Sequence, residues 1–157
     1  MKVLLIRHAA AVEPGAGGDL ERKLSAAGLQ TAREVFRALA RFYAAPDLIV
    51  SSEAVRAVQT ADELAEVFPR VRREISPLLN PGCDAARFRK LIRHVGASVE
   101  RLAVVGHEPD LSHIVASVAA EGGLQIEVQK AACIELDLNP LGRGVLTMLL
   151  PPVVLGA

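Results

Sequence analysis

The sequence has little cysteine, little lysine, no long apolar run and no excess of charge of either sign. Its two cysteines, Cys83 and Cys133, are far apart and form no C-x-x-C pair. That excludes a disulfide-stapled scaffold and a zinc site of ordinary ligand spacing, and two reduced, buried thiols suit a cytoplasmic protein. No window approaches the roughly 18 apolar residues of a membrane span. The apolar run Val3 to Ile6 ends at Arg7, which is shorter than a signal peptide requires. A cytoplasmic chain without membrane attachment is expected. The 18 basic residues are balanced by 18 acidic ones, and lysine occurs only at positions 2, 23, 90 and 130. The densest basic group is Arg70, Arg72 and Arg73, too sparse for general nucleic-acid binding. What is present is apolar material: 51% of 157 residues are hydrophobic and the mean hydropathy is +0.31. This is enough for one buried core, and a single domain over residues 1–157 is expected.

Short apolar runs alternate with helical periodicity along the chain. Val3-Leu4-Leu5-Ile6 reads as a strand buried on both faces, because it is continuous rather than alternating. Ala9 to Lys23 is rich in Gly and Ala, contains Pro14 and has no period, so it is a loop. From Ser25, a candidate N-cap, Leu29, Ala32, Val35, Phe36 and Leu39 recur at helical spacing. Leu48-Ile49-Val50 forms a second strand, and Ala54 to Phe68 a second helix. Val71 to Ile75 reads as a short edge strand. Asp84 caps a third helix carrying Phe88, Leu91, Ile92 and Val95. Leu102-Ala103-Val104-Val105 is another buried strand, and Pro109 suits the first turn of a helix ending near Ala120, before Gly122-Gly123. Ala132 to Leu138 and Val145 to Leu150 flank a turn at Asn139-Pro140-Leu141-Gly142, which is a hairpin. Strands alternating with helices predict a three-layer α/β/α sandwich, and the hairpin makes its mostly parallel sheet mixed.

Ligands of such sheets bind beyond the carboxyl ends of the strands. Two of the four histidines stand there: His8 after the first strand, with Arg7 beside it, and His107 after Leu102 to Val105. Ser51-Ser52 ends another strand, with Arg56 one turn into the next helix, and Arg22 closes the Gly-rich loop. The helix after His107 points its N-terminal amides toward the same edge, which favours an anion. Imidazoles and guanidiniums around a helix N-terminus form a receptor for a phosphoryl group, since Arg offers forked donors and a permanent charge. Neighbouring Arg charge keeps a histidine neutral and therefore able to attack phosphorus. The dipeptide alone is weak evidence: Ile6-Arg7-His8 recurs as Ile92-Arg93-His94, where Arg and His suit a helix C-terminus. His94 and His113 are expected to be structural or surface residues. On spacing alone, Arg56 could equally be a solvated helix residue, and an exposed loop charge is the alternative for Arg22.

These residues resemble a known family. Arg7-His8 after a first strand, Arg22 before Leu24-Ser25-Ala26-Ala27-Gly28, the stretch Ser51 to Ala61 around Arg56, and Val104-Val105-Gly106-His107-Glu108-Pro109 together resemble the histidine phosphatase (phosphoglycerate mutase-like) superfamily. The short length and Leu79-Asn80-Pro81-Gly82 look most like its SixA-type phosphohistidine phosphatases. The resemblance implies that His8 becomes phosphorylated, that Arg7, Arg22 and Arg56 bind the phosphoryl oxygens, and that His107 completes the pocket. It implies no metal and no cofactor. The partner would be a phosphohistidine-bearing protein or a small phosphorylated substrate, not a nucleic acid or a membrane. Nothing in the sequence specifies an oligomeric state.

Two departures stand out. The superfamily's Arg-His-Gly is Arg7-His8-Ala9 here. Larger relatives carry a proton-donating carboxylate after the third strand, whereas this chain has Pro77-Leu78-Leu79-Asn80-Pro81. Glu108 is the nearest acidic residue by sequence and the candidate proton donor, although it could instead serve the N-terminus of the following helix. The leading expectation is a phosphatase acting through a phosphohistidine on His8, with protein phosphohistidine or a related activated phosphate as substrate. The alternatives are a small-metabolite phosphomonoesterase and a non-catalytic phosphate-binding module.

Overall fold

Four apolar residues in a row send their side chains to opposite faces of a sheet, and both faces must then be covered. In the computed structural model, which describes residues 1–157, this holds for strand β1 (Lys2–Arg7). Val3 and Leu5 enter one apolar cluster, Leu4 and Ile6 the other, and all four are fully buried. Strand β4 (Arg101–Gly106) divides in the same way, with Leu102 and Val104 on the first side and Ala103 and Val105 on the second. Helices α1 (Ala26–Leu39) and α2 (Val55–Val67) cover the Leu4 side. Helices α3 (Ala85–Val95) and α4 (Asp110–Ala119) cover the Val3 side. The expected three layers are therefore present.

The remaining strands are β2 (Leu48–Ser51), β3 (Arg72–Ile75), β5 (Cys133–Leu138) and β6 (Gly144–Leu150), and the sheet order is β3-β2-β4-β1-β5-β6. β1, β2, β3 and β4 pair in parallel, while β5 runs antiparallel to both β1 and β6. One strand in six thus opposes the rest, which makes the sheet mixed but mostly parallel. β3 is an exposed edge carrying Arg72, Arg73 and Glu74, charges that discourage further strand pairing.

Local chemistry sets the helix starts. Ser25 Oγ accepts from Gly28 N at 3.0 Å, and Asp84 Oδ1 accepts from Arg87 N at 2.8 Å, so both expected caps form. Pro109 stands one residue earlier than expected, at the N-cap of α4 rather than inside its first turn. Gly28 has a steric reason: a Cβ there would lie 2.0 Å from the Ala10 carbonyl oxygen. The first turn of α1 is thereby pressed onto the loop that follows His8.

The consequence for function lies in the strand order. β4 sits between β2 and β1, and its Gly106 pairs with Arg7. The residues immediately after these two, His107 and His8, leave the sheet side by side.

Candidate active site

His8 and His107 face each other with ring centroids 5.1 Å apart and planes tilted by 57°. His8 is 8% exposed and His107 3%, so the pair is nearly closed off from solvent. Arg56, itself 3% exposed, reaches both rings from the first turn of α2. Its Nε donates to His8 Nε2 at 3.2 Å, and its Nη2 lies 3.4 Å from His107 Nδ1. Thr60 ties this helix to the loop that follows His8, its hydroxyl donating to the Arg56 carbonyl and accepting from Ala9 N.

These contacts assign the tautomers. His8 Nδ1 lies 2.8 Å from the Ala9 carbonyl oxygen, which only accepts, so Nδ1 carries the proton and Nε2 the lone pair. Arg56 only donates, so His107 Nδ1 is the acceptor and Nε2 carries the proton. Burial, reinforced by the Arg56, Arg7 and Arg22 charges, pushes the His8 pKa down to about 4. Burial, then His8 and Arg56, pushes His107 down to about 3. Both rings are therefore neutral at neutral pH, one presenting a lone pair and the other an N–H.

Two buried polar atoms have no partner: His107 Nε2 and Arg7 Nε. Arg7 Nη1 donates to the Val128 carbonyl at 2.7 Å, which anchors the guanidinium and leaves its Nε free. An orphaned buried donor is costly in a finished structure. Both orphaned donors belong to residues at the carboxyl edge of the paired strands β1 and β4.

Arg22 reaches the cluster indirectly. Its Nε donates to the Val12 carbonyl at 2.8 Å and its Nη1 pairs with Asp19 Oδ1 at 3.0 Å. Asp19 Oδ2 in turn accepts from Arg56 Nη2 at 2.7 Å, and the Asp19 carbonyl accepts from Arg56 Nη1. Asp19 is thus a bridge between two of the three arginines, and both hold its carboxyl below the ordinary carboxylate range. No local pattern points to it, because it sits in a 3₁₀ turn, Asp19–Glu21, inside a loop without period.

Glu108 stands beside His107, and its carboxylate accepts from Ser112 N at 3.0 Å, satisfying an amide of the first turn of α4. Asp110, buried at the start of α4, accepts from Gly82 N and Cys83 N and pins the loop containing Asn80. Asn80 accepts from the Ser52 hydroxyl and from Glu53 N, which fixes the entry to α2. Neither Asp110 nor the Asn80 network was foreseen. His94 and His113 are both exposed and stand apart from the cluster, on α3 and α4. Burial pushes the Cys83 thiol up to about 11 and the Cys133 thiol up to about 12, so neither supplies a thiolate nucleophile at neutral pH.

An α/β sandwich with a neutral imidazole pair and arginines at the carboxyl edge defines a protein built to handle phosphoryl groups. The model of the histidine phosphatase superfamily (branch 1) matches residues 3–80. The chain belongs to that superfamily. No curated protein sequence matches it. Among solved structures, the protein histidine phosphatase SixA complexed with tungstate superposes with a TM-score of 0.90 at 23% identity, covering 99% of both chains. A protein of Agrobacterium tumefaciens named for the SixA phosphohistidine phosphatases superposes with a TM-score of 0.82 at 25% identity, covering 96% of this chain and 97% of that one. The alpha-ribazole phosphatase of Shigella flexneri shares the fold at a TM-score of 0.75 and 17% identity, covering 97% of each chain.

Proposed function

We propose that the chain is a metal-independent phosphatase that carries the phosphoryl group on His8 Nε2. The observation that bears most weight is the complementarity of the neutral rings: a lone pair on His8 Nε2, which the Arg56 Nε–H must yield to phosphorus, and unpartnered donors on His107 and Arg7 at the same sheet edge. In the first step His8 Nε2 attacks phosphorus, and the bond from phosphorus to the leaving group breaks with its electron pair. Arg7, Arg22, Arg56 and the His107 N–H bind the three equatorial oxygens, where charge is spread in the transition state. In the second step water attacks phosphorus, the P–N bond to His8 breaks, and inorganic phosphate leaves.

The leaving group needs a proton, and its source decides the substrate. Glu108 is engaged with the backbone of α4, and Asp19 is held ionised between two arginines. With no protonated carboxyl in place, about 10²–10⁴ of general-acid rate enhancement is missing for a poor leaving group. A phosphoramidate is protonated on its own nitrogen and escapes this loss. We therefore favour phosphohistidine on a protein, or a related activated phosphate, over sugar and other alkyl phosphates. The likeness to the SixA structures supports this choice over the alpha-ribazole phosphatase. The site is fed by one domain spanning 1–157, and two free buried thiols fit a reducing, cytoplasmic setting.

Turnover of a phosphohistidine peptide and of a simple alkyl phosphate, each with chelator present, tests the proposal in wild type and His8→Ala. Faster phosphoramidate turnover that vanishes in the variant is the expected result. Equal or faster alkyl phosphate hydrolysis refutes the substrate preference, and activity surviving His8→Ala refutes the mechanism.

A further inference from the structure

A cavity of about 780 Å³ lies not at the His8–His107 pair but at the opposite end of the sheet. It opens between α3, the starts of β1 and β4, and the turn joining β5 to β6. Five strand steps separate Lys2 from Arg7, which places it about 17 Å from the His8 end of β1. Its volume falls in the range of small-molecule sites.

The lining combines an apolar floor with a cationic rim. Phe88, Val99 and Leu138 are buried and Ile92 is half-buried. Arg89 and Arg93 stand one turn apart on α3, hence on one face. Arg101 also borders the cavity from β4, but it shares the Ala103 face of that strand, beside its ladder partner Lys2, and so points away from α3. Chain-wide charge is balanced, yet α3 carries Arg87, Arg89, Lys90 and Arg93 with no acidic residue. Lys2 is neutralised by Glu135 and Asp137. Arg89, Arg93 and Arg101 form no ion pair with any carboxylate. The one acidic residue in the lining is Glu100. The two α3 guanidiniums without counter-ions, over an apolar floor, are complementary to a ligand with a charged group at one end and a flat apolar body at the other.

We propose that this cavity is a second ligand site for a small organic phosphate of mononucleotide size. Its dianionic group would engage Arg89 and Arg93, and its ring would lie on Phe88, Ile92, Val99 and Leu138. The cavity takes no part in phosphoryl transfer, and the proposal stands whether or not His8 is the nucleophile.

The test titrates the full-length protein, followed by backbone amide NMR, with the phosphonate analogue of AMP, which has no hydrolysable P–O bond. Saturable shifts at residues 88–101 and 138–142, weakened at least tenfold in Arg89→Ala/Arg93→Ala, are expected. Adenosine and inorganic phosphate should each bind there at least tenfold more weakly than the analogue. Aryl phosphate turnover should be unchanged in the variant, and Arg93→Gln gives the same comparison if the double variant folds poorly. Shifts confined to the neighbourhood of His8, or none at millimolar ligand, overturn the proposal. So does saturation of the same residues by a glutamate-rich peptide but not by the analogue, since the surface would then be a protein-docking face.

Discussion

At about pH 5 an imidazole with an ordinary pKa of about 6.5 is about 97% protonated and offers no lone pair for attack. With its pKa pushed down to about 4, His8 keeps its lone pair in about 90% of molecules at that pH, a roughly 30-fold advantage in competent nucleophile. The acid limb of kcat/KM, corrected for the titration of the substrate itself, should accordingly break near pH 4 rather than pH 6.5. Imidazole NMR reads the same group without substrate: the ring resonance lost in His8→Ala should titrate well below the ordinary histidine range. A stability consequence follows with a definite sign. Both folded pKa values are depressed, so the unfolded chain binds more protons, and stability falls as pH drops from about 6.5 toward the folded values. His8 alone should cost up to about 2 kcal/mol at about pH 5, seen as a lower thermal midpoint that His8→Ala partly restores. An acid limb and a ring resonance both centred near pH 6.5 would refute the argument that burial and three arginines keep His8 neutral.

Three further outcomes are expected. Arg56→Lys should lower kcat/KM by about 10²–10³, because one ammonium cannot replace a fork that contacts both imidazoles and Asp19; steady-state kinetics check this. Asp19→Asn should tighten inorganic phosphate binding by about three- to tenfold in calorimetry, since the half-exposed carboxylate no longer competes for Arg22 and Arg56; weaker binding would show that Asp19 orients the arginines rather than competing. Gly28→Ala should destabilise the fold by about 2–4 kcal/mol in denaturant titration, because the added methyl meets backbone rather than a movable side chain.

The layers of this fold were legible because buried strands write themselves as unbroken apolar runs. Val3 to Ile6 and Leu102 to Val105 were found that way, and the rule that sites form beyond strand ends then brought out His8, Arg7 and His107. Motif resemblance was needed for Arg56, since nothing in its helical spacing separates a buried guanidinium from a solvated one. Asp19 and the Val128 carbonyl were not legible. Their positions depend on how loops without hydrophobic period close over the sheet edge, and no local pattern records that. The placement of β4 between β1 and β2 is likewise a tertiary choice. Glu108 illustrates the opposite limit: adjacency in sequence to His107 made it the candidate acid, while the amide of Ser112 is what its carboxylate meets.

The pairing of Arg7 with Gly106 makes the backbone a ruler for the chemistry. Neighbouring strands stand about 4.8 Å apart whatever their side chains, and the two imidazoles, each one residue past that rung, inherit nearly the same interval of 5.1 Å. The interval between the two imidazoles is then set by hydrogen-bonded peptide groups, not by the packing of particular apolar residues. Core substitutions would drain stability well before they altered this gauge, which leaves the sequence of the two strands free to drift while the catalytic dimension stays fixed.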